Sequence, residues 1–276
     1  MSKKKKKNNL NNQENLIFSQ KEIVREYYDD KTNVLYKFPA NMLMTRINRD
    51  SKKIQKSFDK LDINRIKFLD KFYSETLSYI IIGQKKSIKD SNEKLNNFCS
   101  LLLNAANTIS ASFELLRSGY IMQSPALLRS IVETFSVLSA IFNDDDSYDK
   151  FLNDKLDVNS TIKVGKKFIP QIGKFQGLLS NSYVHLNSAY LQVFTFLNFK
   201  GYEDIVSITL DIIANSIMIL CLISELILSS YYKNDEILFW KFDDKNCPEF
   251  NISEKGEEIL HEYQKYFNAD SVVINN

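Results

Sequence analysis

The chain has 276 residues, with 36 Lys and Arg, 34 Asp and Glu, and a formal net charge of +2. Its seven glycines and four prolines amount to about a third of average usage. So few turn-forming residues predict few, long elements, which excludes a β-sandwich and a Rossmann sheet and favours helices. We therefore expect an all-α fold, a helical bundle of six to nine helices.

Residues that bind metals or form disulfides are scarce. The three cysteines, Cys99, Cys221 and Cys247, are far apart, and the only histidines are His185 and His261. Neither a disulfide framework nor a structural zinc site fits this spacing. We expect no metal ion and no cofactor.

Five consecutive lysines, Lys3 to Lys7, form a basic tail on a body whose net charge falls from +2 to −3 without them. Such a tail can attract nucleic acid or an anionic membrane, or it can simply keep the chain soluble. We favour the last interpretation, because the body has no matching basic face. Asn-rich sequence follows the lysines, which is unlike a signal peptide, so we expect a cytoplasmic protein.

Four segments differ in composition and pattern. They are a disordered arm at 1–18, an N-terminal helical region at 19–90, a core at 91–232, and a C-terminal helix and tail at 233–276. The N-terminal region predicts three helices, at about 20–30, from Pro39 to about Phe58, and from an Asp62 cap to near Gly83.

The core begins with Asp90 and Glu93, which have the spacing of a capping box, and Gly119 is placed to end the helix that they open. Residues 157–170 lack helical periodicity and are predicted to be irregular. The helices predicted in the core and C-terminus are 91–118, 124–142, 147–156, 171–184, 203–232 and 253–267.

The stretch from Tyr190 to Phe199 is rich in aromatic and aliphatic residues and is predicted as a short strand or a helical continuation. So many apolar groups do not suit a free surface loop. We expect them to pack on the bundle or to form a homodimer contact.

The predicted helix at 203–232 is apolar enough to require comparison with a membrane span. Its longest uncharged run, Ile212 to Ser224, has 13 residues, fewer than the roughly 18–20 that cross a bilayer. We therefore predict a buried bundle helix with one polar seam, and no membrane span. Six residues form this seam along one face: Asp204, Ser207, Asp211, Asn215, Glu225 and Ser229.

The sequence contains no P-loop, dinucleotide-binding, zinc-protease or nucleophile-elbow motif. One segment that remains is the helix carrying Arg129 and Glu133, four residues apart among small and apolar neighbours. Burying such a pair is costly unless it is fully hydrogen-bonded. The pair is either an intrahelical salt bridge or part of a site with room for a ligand.

The other segment runs from Leu178 to Ser188 and places His185 among Ser, Asn and Tyr side chains. A lone histidine of this kind is either a satisfied structural residue or a general acid or base. We weigh both roles for His185.

Together the two segments resemble the bacterial HEPN superfamily of helical domains. The likeness spans residues 95–232 and rests on the sequence LLRSxxE at 127–133 and on Leu-Ser at 179–180 followed by His185. The resemblance implies a HEPN-like core that forms a homodimer. It also implies, in many members, a metal-independent endoribonuclease of toxin or antiphage type.

The catalytic signature of this superfamily is an Arg, a polar residue, several variable positions and a His. His185 falls on the catalytic His and Asn181 on the polar position, whereas Ser180 stands where the Arg is expected. Either Arg129, with Glu133 beside it, supplies the missing cation from the adjacent helix, or the chain is a non-catalytic member.

Three functions therefore stay open. The first is a ribonuclease effector that binds RNA and uses His185 as general acid or base. The second is a helical dimerisation or interaction protein, with Arg129, Glu133 and His185 in a sealed polar network. The third is a nucleotide-sensing module that binds phosphate without cutting it. Each would act with a partner protein of a toxin–antitoxin or phage-defence system.

Overall fold

A computed structural model describes residues 22–180, 203–232, 237–242 and 248–267. Within these ranges 74% of the residues are helical, in nine helices, and the strands form only two small pairs. The predicted all-α bundle of six to nine helices is confirmed.

Two of the helices consist of more than one piece. Helix α1 comprises Met42–Thr45, a π-helical turn at Arg46–Asp50, and Ser51–Phe58, and α4 comprises Gln123–Leu127 and Arg129–Asn143. The other helices are α2 (Ile63–Lys89), α3 (Glu93–Arg117), α5 (Asp145–Leu152), α6 (Val158–Phe168), α7 (Gln171–Leu179), α8 (Glu203–Tyr231) and α9 (Glu254–Tyr266). The strands are β1 (Ile23–Asp29), β2 (Val34–Pro39), β3 (Trp240–Phe242) and β4 (Pro248–Phe250).

Helix α8 is the centre of the bundle and packs against α2, α3 and α4. Every side chain from Ile212 to Leu220 is buried, because the helix is apolar around almost its whole circumference. The long helices α2 and α3 lie side by side against it. The three helices predicted at 91–118, 124–142 and 203–232 are thus present as α3, α4 and α8.

Helix α2 continues past Gly83 to Lys89, so the predicted end at that glycine is wrong. Gly83 is instead a point of close contact between two helices. A Cβ atom at this position would lie 2.5 Å from Cδ2 of Leu228 on α8. The glycine lets the two helices approach, and it interrupts neither of them.

Local capping signals decide several other helix ends. The Asp62 side chain accepts a hydrogen bond from the backbone N–H of Arg65, at 3.1 Å, which confirms the predicted N-cap of α2. The capping box predicted at Asp90 and Glu93 is wrong, because Asn92 caps α3 by accepting from the N–H of Leu95 at 3.0 Å. Gly119, with φ of +87°, follows the end of α3 as predicted.

The helix predicted at 20–30 is wrong, since β1 and β2 form an antiparallel hairpin there with Tyr27 opposite Tyr36. The Asp29 carboxylate accepts from the Lys31 N–H at 3.0 Å and from the Thr32 hydroxyl at 2.7 Å, which fixes the turn. Pro39 ends β2 and does not open a helix, and the segment 19–90 is therefore only partly helical.

Residues 157–170 were expected to be irregular, yet α6 occupies most of them. Asp157 caps this helix by accepting from the N–H of Asn159. Its buried face is narrow, and Gly165 lies directly against Ser136 of α4, where a Cβ would be 3.2 Å from the Ser136 Cα. The arm at 1–18 and the stretch from Tyr190 to Phe199 lie outside the described residues.

Candidate functional site

The two pieces of α4 meet at Leu128, and Arg129 is the first residue of the second piece. The N–H of Leu128 bonds to the carbonyl of Pro125 and the N–H of Ile131 bonds to the carbonyl of Leu128, so both pieces share this short turn. Ile131 and Phe135 are buried in the core. Packing of this apolar face leaves Arg129 at the edge of the helix, half-buried.

Arg129 forms the ion pair with Glu133 that its spacing predicts. Nη2 of Arg129 lies 3.3 Å from Oε1 of Glu133, and the side chains are 27% and 43% exposed. Nη1 donates to the hydroxyl of Ser180 at 3.3 Å. The Nε–H group is buried and has no partner among the described residues. The pair is therefore open to solvent at one side and retains one unused donor.

Helix α7 places Ser180 beside Arg129. Phe175 and Leu179 on this helix are fully buried, and α7 packs against the second piece of α4. Ser180 directly follows α7 and is the last described residue of this range. Asn181 is the next residue of the chain and His185 is five positions beyond Ser180, and both lie outside the described residues. Their convergence with Arg129 stays a prediction.

The chemistry available at the described part of this site is that of a cation at the surface. A guanidinium has five N–H donors and suits a phosphate or carboxylate. Among the described residues no group of three or more His, Cys, Asp and Glu side chains could hold a metal ion. The described side chains offer a guanidinium that is already paired with one carboxylate, and a proton-transfer group would have to come from elsewhere.

Sequence spacing identified the polar seam of α8, and the structure adds the partners of its residues. Glu225 is buried, and its Oε1 accepts the backbone N–H groups of Leu238, Phe239 and Trp240 at 2.6, 2.8 and 3.3 Å. Burial raises the pKa of the Glu225 carboxyl, while these three donors oppose the shift. A cavity of about 350 Å³ lies beside Glu225 between α2, α8 and α9. No sequence motif indicated this cavity, because its walls come from distant segments.

Two segments in the described part of the chain, Gln123–Asn143 and Asp204–Tyr231, are long and apolar enough to cross a membrane by length and composition alone. In the structure 61% and 72% of their most apolar windows are buried against the rest of the protein. Core helices of a bundle pass the same test, so the absence of a membrane span stays a prediction.

Part of the chain is similar to a known protein family. Residues 95–194 are similar to a family of unknown function, DUF5677. The matched range begins in α3 and includes Arg129, Glu133, Asn181 and His185. No curated protein and no solved structure matches the chain.

Proposed function

We propose that this protein is a HEPN-like effector of a bacterial toxin or phage-defence system that cleaves RNA without a metal ion. The observation that carries the proposal is the contact between Arg129 and Ser180. Ser180 stands where the HEPN-like signature has its Arg, and the Nη1 of Arg129 lies 3.3 Å from its hydroxyl. A cation from α4 thus lies beside the position from which one is missing.

In the proposed reaction the 2′-hydroxyl oxygen of the RNA attacks the adjacent phosphorus, and the bond from phosphorus to the 5′ oxygen breaks. His185 accepts the proton of the 2′-hydroxyl or donates one to the leaving 5′ oxygen, and water carries out the other proton transfer. The histidine contributes roughly 10²–10⁴-fold in rate. Arg129 stabilises the additional negative charge on the phosphate. Asn181 supplies a polar contact at the signature position, and Glu133 orients the guanidinium.

The partial exposure of the Arg129–Glu133 pair supports this function over a sealed packing network. An ion pair that only fixed packing would be enclosed and fully hydrogen-bonded. Here both side chains reach solvent, and the Nε–H of Arg129 has no partner in the ranges that the structure describes. Neither feature fits a sealed network.

The resemblance also implies the setting in which the protein would act. We infer a cytoplasmic homodimer that binds RNA and is controlled by a partner protein of the same system. In this proposal the site lies near the two-fold axis, so that each copy contributes one His185.

The test is cleavage of a labelled single-stranded RNA by the purified protein in the presence of a chelator. We expect His185→Ala and Arg129→Ala each to lower the cleavage rate by about 100-fold or more. We expect the free energy of unfolding to change by less than about 1–2 kcal/mol, since in this proposal both side chains line a site that is open to solvent.

Matched controls are available on the same chain. His261 is an exposed histidine of α9, and Arg117 is a partly exposed arginine of α3 that pairs with Asp59. His261→Ala and Arg117→Ala should leave cleavage unchanged. If the wild type leaves RNA intact and His185→Ala unfolds the protein, the interaction protein is the correct interpretation.

A further inference from the structure

The cavity beside Glu225 is separate from the Arg129 site. It has a volume of about 350 Å³ and lies between α2, α8 and α9, with Leu238 closing one side. Arg129 and Ser180 belong to α4 and the end of α7, none of which lines this cavity. Its volume is within the range of small-molecule sites in proteins.

Three of the four hydroxyl groups in the described lining have already used their hydrogen-bond donors, and the fourth, that of Tyr79, shares a hydrogen bond with Ser229 at 3.1 Å in which either oxygen can donate. Thr76 donates to the carbonyl of Phe72 at 2.9 Å, and Ser78 donates to the carbonyl of Glu75 at 2.8 Å. Ser224 donates to the carbonyl of Leu220 at 2.6 Å. These oxygens can therefore offer only lone pairs to a bound molecule.

Two carboxylates add further acceptors. Glu225 is only 4% exposed and faces the cavity. Its Oε1 receives three backbone N–H groups, whereas no described residue donates to its Oε2. Glu75 lies at the exposed mouth of the cavity, and Lys255 is the one basic side chain in the described lining.

The remaining wall of the cavity is apolar. Phe72 and Ile82 of α2 face Ile259 of α9 and Leu238 across it. One end of the cavity thus offers hydrogen-bond acceptors and negative charge, and the rest of its wall is apolar. A ligand that fits both must donate hydrogen bonds at one end and bury hydrocarbon at the other.

We propose that this cavity binds a small organic cation, an ammonium or amidinium group attached to an apolar body. The cationic group lies between Glu75 and Glu225 and donates to the Oε2 of Glu225. The apolar body lies against Phe72 and Ile259.

The experiment compares three probes of nearly equal size by calorimetry on the full chain. They are 2-phenylethylamine, which is cationic, 2-phenylethanol, which is neutral, and 3-phenylpropionate, which is anionic. We expect the amine to bind and the other two to bind at least about tenfold more weakly, because only the amine combines three donors with a positive charge, whereas the alcohol has one neutral donor and the carboxylate has none.

Charge variants at the mouth of the cavity separate this site from non-specific binding. We expect Glu75→Gln to weaken amine binding by about fivefold. Glu262→Gln, an exposed change on α9 outside the cavity, should have no effect. Equal affinity for the amine and the alcohol, no binding of the amine, or no response to Glu75→Gln would each overturn the proposal.

RNA cleavage provides an independent readout. Glu75→Gln should leave the cleavage rate unchanged, because the two sites share no residue. The proposed function and this site can therefore fail separately.

Discussion

Gly256 lies in the first turn of α9, where its backbone packs directly on another backbone segment. A Cβ atom added there would overlap the carbonyl oxygen of Leu238 and lie 3.0 Å from Cγ2 of Ile252. A carbonyl oxygen held in the chain cannot rotate away as a side chain can. Gly177 of α7 differs, because an added Cβ would meet no atom of the described residues within 4 Å.

These two glycines allow a prediction with an internal control. Gly256→Ala should lower the free energy of unfolding by about 2 kcal/mol or more, since the overlap forces α9 away from Leu238. Gly177→Ala should raise it by about 0.5–1 kcal/mol, because alanine favours the helix and no clash offsets the gain. Urea unfolding followed by far-UV circular dichroism measures both. Equal effects of the two substitutions would contradict the close contact at Gly256.

At the scale of the element, α8 uses a single carboxylate to hold the chain that follows it. Oε1 of Glu225 accepts three successive backbone N–H groups, from Leu238 to Trp240, at the start of β3. The indole N–H of Trp240 also donates to the carbonyl of Leu222 at 2.9 Å. Burial of Glu225 raises the pKa of its carboxyl above the ordinary value.

The raised pKa of Glu225 determines how stability should change with pH. A group with a raised pKa in the folded state binds its proton more tightly when the protein is folded. Its full contribution to the free energy of unfolding is therefore present at pH values below its ordinary pKa. That contribution is lost as pH rises through the folded pKa. Relative to Glu225→Gln, the wild type should therefore lose stability as the pH rises above 4.5, the ordinary pKa of the group.

Urea unfolding of both proteins across this range gives the difference directly. Burial raises the pKa of the neighbouring Cys221 thiol to about 12, so this thiol stays protonated at neutral pH in both proteins. A difference that stays constant with pH, or that grows in favour of the wild type, would show that the N–H groups outweigh burial at Glu225.

Across the whole molecule, the polar seam of α8 joins parts of the chain that are far apart in sequence. Arg65 of α2 donates to Asp211 at 2.6 Å and to the Ser207 hydroxyl at 2.7 Å. Tyr263 of α9 donates to Oδ1 of Asn215 at 2.9 Å. The Arg65 guanidinium also lies over the ring of Phe267, 4.7 Å from its centroid. One seam thus fixes both an early helix and the C-terminal helix to the core.

A double-mutant cycle measures what this seam contributes. The Arg65 and Asp211 side chains are only 11% and 19% exposed, so removing either one leaves a charge in a largely desolvated position. We expect Arg65→Ala and Asp211→Ala each to cost about 2–4 kcal/mol, with a coupling energy of about 1–3 kcal/mol.

The pair Arg117 and Asp59 provides the control, because its geometry is similar but its side chains are 32% and 45% exposed. Its coupling energy should stay below about 1 kcal/mol, since solvent screens the charges. Similar coupling energies in the two cycles would rule out a special role for the seam.

Sequence alone determined the fold class and the central helices. The scarcity of glycine and proline and the long apolar periodicity predict helices. The Asp62 cap and the Gly119 stop depend on contacts within about four residues of chain, so the local sequence is enough to predict these helix ends. The same local reasoning paired Arg129 with Glu133, and their contact is confirmed. It also placed the polar positions of α8 on one face.

Only the tertiary structure decided which distant segments meet. Four features join residues that no local pattern connects. They are the β1–β2 hairpin, the contact of Gly83 with Leu228, the contact of Arg129 with Ser180, and the cavity beside Glu225. The β-branched and aromatic residues of the hairpin have a spacing that also fits one face of a helix. Pairing with the second strand and the turn at Asp29 stabilise the extended form instead. Helix periodicity states which face is buried and not what covers it, because packing depends on shape and charge brought together from the whole chain.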